Sequence, residues 1–97
     1  MLGVTKEEQK IIVEILKEYG DKYSFYYYGS RVKGNFNKTS DLDILIKGEE
    51  EMPLADVVSL KENMDESILP YIVNFTDYNS IDESFYNLIK DDLIMIK

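Results

Sequence analysis

Four residues in the first half of the chain have types and spacing suited to phosphate chemistry. Gly29 and Ser30 follow an aromatic run, and Asp41 and Asp43 begin after ten further residues. A Gly-Ser turn that opens a helix exposes backbone N–H groups, which can hold phosphate oxygens. Side chains alternate along a strand, so the two carboxylates project from one face, about 7 Å apart. We therefore expect a phosphate-binding turn beside a pair of carboxylates.

The paired carboxylates of Asp41 and Asp43 predict a metal ion. Two carboxylates this close repel each other unless a cation lies between them. The chain has no His and no Cys, so every metal ligand must be an oxygen atom, which favours Mg²⁺, Mn²⁺ or Ca²⁺. A divalent cation there can bridge to phosphates held by the turn. The pattern predicts a metal–triphosphate site.

Two similar motifs do not fit these residues. Gly29 and Gly34 have the spacing of a P-loop, but Asn35 and Phe36 follow where that motif requires Lys and Ser or Thr. A calcium loop opening at Asp41 would place a ligand and a glycine where Leu45 and Ile46 stand. The remaining alternative is a simple surface turn followed by two solvated aspartates.

The elements that position these residues can be read from the hydrophobic pattern. Aromatic and apolar runs predict strands at Tyr23–Tyr28, 41–47, 71–76 and 93–96. Capping boxes at residues 5–8 and 80–83 predict two helices, the first closed by Gly20 and the second with Phe85, Leu88 and Ile89 facing inward. A third helix over 54–64 follows Pro53. Its predicted inward residues are Leu54, Val57, Val58, Lys61 and Met64. The fold class is α/β (α+β), a small mixed sheet flanked by helices.

Length and charge limit the organisation and the partners. The 97 residues fit a single domain, 1–97, and a formal net charge of −8 argues against stable DNA binding. The short apolar runs predict no membrane span and a cytoplasmic protein. Between Lys22 and Lys38 the chain has basic residues and no acid, so Arg31, Lys33 and Lys38 are candidate phosphate or acceptor contacts.

The motif resembles a known signature. Gly29-Ser30, ten residues and Asp41-Leu42-Asp43 are similar to the signature of the polymerase β-like nucleotidyltransferases, and the fuller pattern is similar to the minimal nucleotidyltransferases. The resemblance implies Mg²⁺ or Mn²⁺ on Asp41 and Asp43, and nucleotide contacts from Gly29, Ser30, Arg31 and Lys33. It also implies transfer of AMP from ATP to a hydroxyl group. In antitoxin members the acceptor is a Tyr on a helical HEPN-type or substrate-binding partner encoded nearby.

Asn74 departs from the family pattern. The segment from Leu69 to Asn74 resembles a family segment that ends in a third carboxylate, which in the family mechanism helps to activate the acceptor hydroxyl. Asn cannot accept a proton. Asp77 lies three residues on, which places it on the opposite strand face. Three functions stay open. The first is an adenylyltransferase weakened at Asn74, and the second is a catalytically weak or inactive nucleotide-binding antitoxin that neutralises its partner by binding alone. The third is a regulatory metal-dependent nucleotide sensor with no acceptor and no partner.

Overall fold

The first helix of the chain forms where the capping box predicts it. In the computed structural model, which describes residues 2–96, the Thr5 side chain accepts a hydrogen bond from the Glu8 N–H, and the Glu8 side chain accepts one from the Thr5 N–H. The helices are α1 (Lys6–Leu16), α2 (Ser30–Lys33), α3 (Leu54–Asp65) and α4 (Glu83–Ile89). The strands are β1 (Tyr23–Tyr28), β2 (Leu42–Gly48), β3 (Val73–Asp77) and β4 (Ile94–Met95). Short 3₁₀ turns lie at Lys17–Tyr19, Tyr78–Ser80 and Lys90–Asp92.

The four strands form one mixed sheet in the order β3-β2-β1-β4. β1 runs antiparallel to β2 and to β4, whereas β2 and β3 are parallel. A parallel pair needs a crossover between its strands, and α3 provides it. The predicted α/β architecture is confirmed. No helix within residues 2–96 has the length and apolar character needed to cross a bilayer.

The two faces of the sheet are covered unequally. Leu42 and Ile44 of β2 point to the face covered by α1 and α3, where Ile12 and Leu60 belong to the main core. Leu45 points to the other face, where it forms a smaller buried cluster with Tyr28 and Ile89 of α4. Asp43 shares that second face, because strand side chains alternate. The polar site therefore lies on the less covered side of the sheet.

Two details predicted for the first helix and for α3 are corrected. α1 ends at Leu16 and continues into the 3₁₀ turn, which Gly20 caps at a φ of −68° rather than in the left-handed conformation typical of a glycine that closes an α-helix. In α3 the buried residues are Leu60 and Met64, and Leu54 is 77 % exposed, because the buried side chain before the helix is Met52.

The start and the inner face of α4 also differ from the prediction. The N-cap is Asp82, whose side chain accepts a hydrogen bond from the Phe85 N–H at 2.8 Å. Ser80 instead donates to the Asp77 carbonyl at the end of β3. Ile89 is buried and Leu88 is 74 % exposed, because the short helix presents only a narrow stripe to the sheet.

Candidate active site

The Gly29-Ser30 turn adopts the geometry that its sequence predicts. β1 ends at Tyr28, and α2 begins at Ser30 with Gly29 at a φ of +87°, a conformation that glycine adopts without strain. The first N–H group of this turn that forms a hydrogen bond within the turn is that of Val32, which donates to the Gly29 carbonyl at 3.0 Å. The N–H groups of Ser30 and Arg31 precede it and belong to the part of a helix that lacks intrahelical acceptors. The turn can present these N–H groups to an anion.

Glycine is also required at position 29 for lack of space. A Cβ atom there would collide with the carboxylate of Asp43. The phosphate-type turn and the carboxylate are therefore in direct contact, although they lie 14 positions apart in the sequence. Gly34 ends α2 at a φ of +91° and begins the loop that leads to Asp41.

Strand pairing brings the predicted polar residues together. Asp43 of β2 is in register with Tyr28 of β1 and with Asn74 of β3. Asp41 precedes β2 on the same side, and the Asn74 side-chain amide donates to its Oδ2 at 2.9 Å. Gly29, Asp41, Asp43 and Asn74 thus form one cluster at the end of the sheet where β1 stops and β2 and β3 begin.

The electrostatics of the cluster centre on Asp43. Partial burial raises the pKa of this carboxyl above its usual value, the negative charge of Asp41 raises it further, and a hydrogen bond from Asn74 opposes both effects. Asn74 therefore reduces the repulsion between the two carboxylates by donating N–H groups to them. Such a pair gains stability from a cation, which removes the same repulsion.

The donor atoms of the cluster fit a hard divalent cation. Two carboxylates and the carbonyl oxygen of an amide are ligands that Mg²⁺ and Mn²⁺ accept. To present that oxygen, the Asn74 amide has to turn from the orientation in which it donates to Asp41. Within residues 2–96 no group of three Asp, Glu, His or Cys side chains is placed to hold a metal. A cation bound at this cluster would therefore have two anionic ligands and one neutral one.

Arg31 does not lie where a phosphate contact would require it. Its guanidinium is nearly buried, at 5 % exposure, and its nitrogens donate to the carbonyls of Gly3, Asn37, Lys38 and Ser40. These bonds turn the side chain into the loop after α2. We therefore correct the predicted nucleotide contact of the Arg31 side chain. Lys33 is half exposed, with Nζ 3.8 Å from Asp92 Oδ2, and it remains free to reach an anion because so long an ion pair is weak.

Asp77 does not replace the missing third carboxylate. It is in register with Ile46, three residues along β3 from the position of Asn74. Its Oδ2 accepts a hydrogen bond from the Met52 N–H at 2.8 Å, and its Oδ1 accepts one from the Asn79 N–H at 2.9 Å. The strand continues through Asp77, so the carboxylate stays away from the cluster.

Two residues that the sequence pattern does not predict to be part of the site, Tyr28 and Thr76, also border it. Tyr28, in register with Asp43, is nearly buried, and its hydroxyl is 2.8 Å from Thr76 Oγ1 on β3. This contact crosses β2 and connects the two strands that flank Asp43. Strand alternation indicates which β1 side chains share a face with Tyr28. Only the pairing register between β1 and β2 shows that Tyr28 lies beside Asp43.

Known proteins resemble this chain in sequence and in fold. The family described as "Polymerase beta, Nucleotidyltransferase" matches residues 9–97. The chain belongs to this nucleotidyltransferase family. A relative from Haemophilus influenzae, "Probable protein adenylyltransferase MntA", is 35 % identical over 96 residues, which cover 99 % of this chain and 84 % of the relative.

Solved structures of toxin–antitoxin complexes share the fold. One is a toxin–antitoxin crystal structure with AMP-PNP, with a TM-score of 0.76 at 19 % identity over 92 % of this chain and 72 % of that chain. Another is a tri-AMPylated Shewanella oneidensis HEPN toxin in complex with MNT antitoxin, with a TM-score of 0.68 at 17 % identity over 92 % of this chain and 68 % of that chain. At these identities the likeness confirms the architecture alone.

Proposed function

We propose that this chain is a protein adenylyltransferase that transfers AMP from ATP to a hydroxyl group of a partner protein. The observation that carries the proposal is the contact between the Gly29 turn and the Asp43 carboxylate, with Asp41 on the same side. Triphosphate and metal would be adjacent there, as phosphoryl-group transfer requires. The sequence likeness to a relative named as a protein adenylyltransferase supports the choice of AMP and of a protein acceptor.

Each residue of the cluster has a defined task in this reaction. The backbone of Gly29 and Ser30, with the Ser30 hydroxyl and Lys33, would bind the phosphates. Asp41 and Asp43 would hold Mg²⁺ or Mn²⁺, which neutralises charge developing on the phosphate oxygens. A bond forms between the acceptor oxygen and the α-phosphorus, the bond to pyrophosphate breaks, and the hydroxyl proton leaves to a base. Asn74 cannot take that proton, so it passes to a carboxylate of the pair or to water.

The proposed acceptor is a Tyr on a helical HEPN-type toxin, and the chain would serve as its antitoxin. Solved structures of this fold include a complex of an MNT antitoxin with an AMPylated HEPN toxin. The partner to test is the product of the neighbouring reading frame. This role places the acceptor hydroxyl on another protein, consistent with the open, exposed position of Asp41.

A second function is favoured by one observation. The Asn74 amide donates to Asp41 where the family pattern has a third carboxylate, so the chain is missing a charged ligand and a proton acceptor. A chain of this kind would bind the nucleotide and the partner without rapid transfer. It would then neutralise the toxin by contact alone.

One experiment separates the two functions. The chain is incubated with ATP labelled at the α-phosphate, Mg²⁺ and the neighbouring helical protein, and label on the partner is followed over time. Adenylylation requires label that stays on the partner after denaturation and is lost when its acceptor Tyr is changed to Phe. Co-purification of the two proteins with no covalent label would establish the binding function instead.

A further inference from the structure

Arg31 is a buried cation that is bound by backbone rather than by an acid. Its guanidinium carbon lies 4.1 Å from the ring centroid of Tyr71 and 5.0 Å from that of Phe36. Within residues 2–96 no carboxylate lies at ion-pair distance from it. Burying a charge is costly unless its hydrogen bonds are satisfied. The chain satisfies this one with four backbone carbonyls and two aromatic faces.

The hydrogen bonds of Arg31 are directed at the end of the loop that leads into the site. Nε donates to the Ser40 carbonyl at 2.9 Å, and one terminal nitrogen donates to the carbonyls of Asn37 and Lys38 at 3.3 and 3.2 Å. Ser40 is the residue immediately before Asp41. The backbone of Arg31 itself follows Ser30 in α2. One residue therefore joins the phosphate-type turn to the segment that carries a carboxylate.

The loop is also closed on itself, so the position set by Arg31 is transmitted to Asp41. The Asn37 side chain accepts hydrogen bonds from the Thr39 N–H at 2.9 Å and from the Thr39 hydroxyl at 2.8 Å. The Ser40 hydroxyl accepts one from the Asn37 N–H at 3.0 Å. A closed turn of this kind moves as a unit. Arg31 donates hydrogen bonds to three carbonyls of this turn and thereby fixes the turn against α2.

The N-terminal segment adds a second attachment. The Gly3 carbonyl accepts from Arg31 Nη1 at 2.8 Å, and the Gly3 N–H donates to the Arg31 carbonyl at 2.7 Å. Gly3 also lies against Phe36, because a Cβ atom at position 3 would come within 2.6 Å of its ring. Arg31 is thus held at both its backbone and its side chain.

We propose that Arg31 is a positioning residue that fixes Asp41 relative to the Gly29-Ser30 turn and thereby sets the separation between metal and phosphates. This inference rests on the proposed function. A planar guanidinium can donate to several carbonyls at once, whereas a Lys ammonium is a compact charge that cannot span the same acceptors. The charge alone is therefore insufficient, and the fork geometry is what the loop requires.

The test compares Arg31→Lys with Asp77→Ala, a matched variant that removes hydrogen bonds at the other end of the sheet. Binding of Mn²⁺ is measured by electron paramagnetic resonance of the free ion, in the presence of a non-hydrolysable ATP analogue. Loss of a supporting hydrogen bond around a metal site typically costs about 10–100-fold in affinity. We expect Mn²⁺ affinity to fall about tenfold in Arg31→Lys and to be unchanged in Asp77→Ala. In the metal-free chain, amide exchange at Ser40 should be faster in Arg31→Lys alone.

Chemical rescue gives an independent readout. Arg31→Ala removes the atoms that N-ethylguanidinium supplies, so this compound at millimolar concentration should restore Mn²⁺ affinity, whereas ethylammonium should not. Native Mn²⁺ affinity in Arg31→Lys, or equal losses in Arg31→Lys and Asp77→Ala, would overturn the proposal. If Mn²⁺ binding responds as expected but the unmodified chain labels no partner, the positioning role stands and the transferase function fails. If the unmodified chain binds no Mn²⁺ with nucleotide, both fail.

Discussion

The two ends of the β2–β3 pair hold aspartates in contrasting states. At one end Asp43 lies beside Asp41 and Asn74, half buried, with its pKa raised. At the other end the Asp77 carboxylate accepts hydrogen bonds from the backbone N–H groups of Met52 and Asn79. Backbone donors satisfy a carboxylate and stabilise the fold around it. The hydrogen-bond partners of an aspartate, rather than its proximity to a motif, therefore distinguish a structural aspartate from a candidate metal ligand.

The largest expected effect comes from removing both charges at the first end. Asp41→Asn combined with Asp43→Asn should reduce label transfer to the partner by at least about 10³-fold, because metal stabilisation of the reacting phosphate contributes several kcal/mol. Calorimetry with ATP should show no response to Mg²⁺. The thermal midpoint of the metal-free chain should not fall, since a repelling pair is removed.

Asp77→Asn is the matched control for that double variant. It changes the same functional group in the same pair of strands and should leave Mg²⁺-dependent ATP binding intact. Unfolding of the double variant would mean that Asp41 and Asp43 are structural. Loss of metal-dependent binding in Asp77→Asn would show that the two ends of the strand pair are not separable.

The next effect is a gain at Asn74. Asn74→Asp supplies a charged ligand and a proton acceptor beside Asp41, and general-base assistance typically contributes about 10²–10⁴-fold. We expect transfer at saturating ATP to rise within that range while affinity for Mg-ATP changes much less. The rate of label incorporation into the partner is the measurement.

Asn63→Asp is the control for Asn74→Asp, because it adds the same charge at an exposed position on α3. An equal gain in both variants would indicate a general charge effect. Fast transfer by the unmodified chain with no gain from Asn74→Asp would exclude the binding-only function, and it would show that an amide suffices at this position.

A smaller effect, on stability, is expected at the end of the β2–β3 pair that holds Asp77. Asp77→Ala removes the acceptor of two backbone N–H groups, at a cost of about 2 kcal/mol. For a domain of this size, that lowers the thermal midpoint by about 10 °C. The thermal midpoint of Asp77→Ala should fall by the same amount in the presence and in the absence of Mg-ATP. A loss confined to the Mg-ATP-bound state would place Asp77 in the site.

The smallest effect is the pH dependence contributed by Asp43. Its pKa is raised in the folded chain, so the folded state binds a proton more tightly than the unfolded state. Stability relative to Asp43→Asn should therefore increase as pH falls from the raised pKa towards the unfolded value near 3.9. The carboxyl is only half buried, so solvent screening keeps this gain small. Thermal midpoints of both metal-free chains against pH measure it, and a decrease on acidification would contradict the raised pKa.

Much of the fold and of the site could be predicted because local signals agreed with tertiary packing. The bounds of β1 and the capping box of α1 follow from local chemistry, and the shared face of Asp41 and Asp43 follows from strand alternation. The environment of Arg31 could not be predicted. Its acceptors are backbone carbonyls, which have no sequence signature, and one of them lies 28 positions away at Gly3.

The buried faces of the helices also could not be predicted fully from the sequence. Leu54 and Leu88 have helical spacing with other apolar residues, yet both are exposed. Which stripe is buried depends on the angle at which a short helix meets the sheet, and that angle is set by packing rather than by periodicity. The partnership of Tyr28 with Thr76 likewise required the register of three strands.

The thin covering of the second sheet face ties the packing of Tyr28 beside Asp43 to local unfolding. α4 has seven residues, too few to be stable alone, and it is attached through Ile89 and through Phe85, whose ring meets that of Tyr28 edge to face at 6.2 Å. Elements with little buried contact open at lower free energy than the rest of a domain. Opening of α4 uncovers Leu45 and Tyr28, and Tyr28 is in register with Asp43. A protein that holds α4 closed therefore keeps Tyr28 packed beside Asp43 without touching the carboxylate.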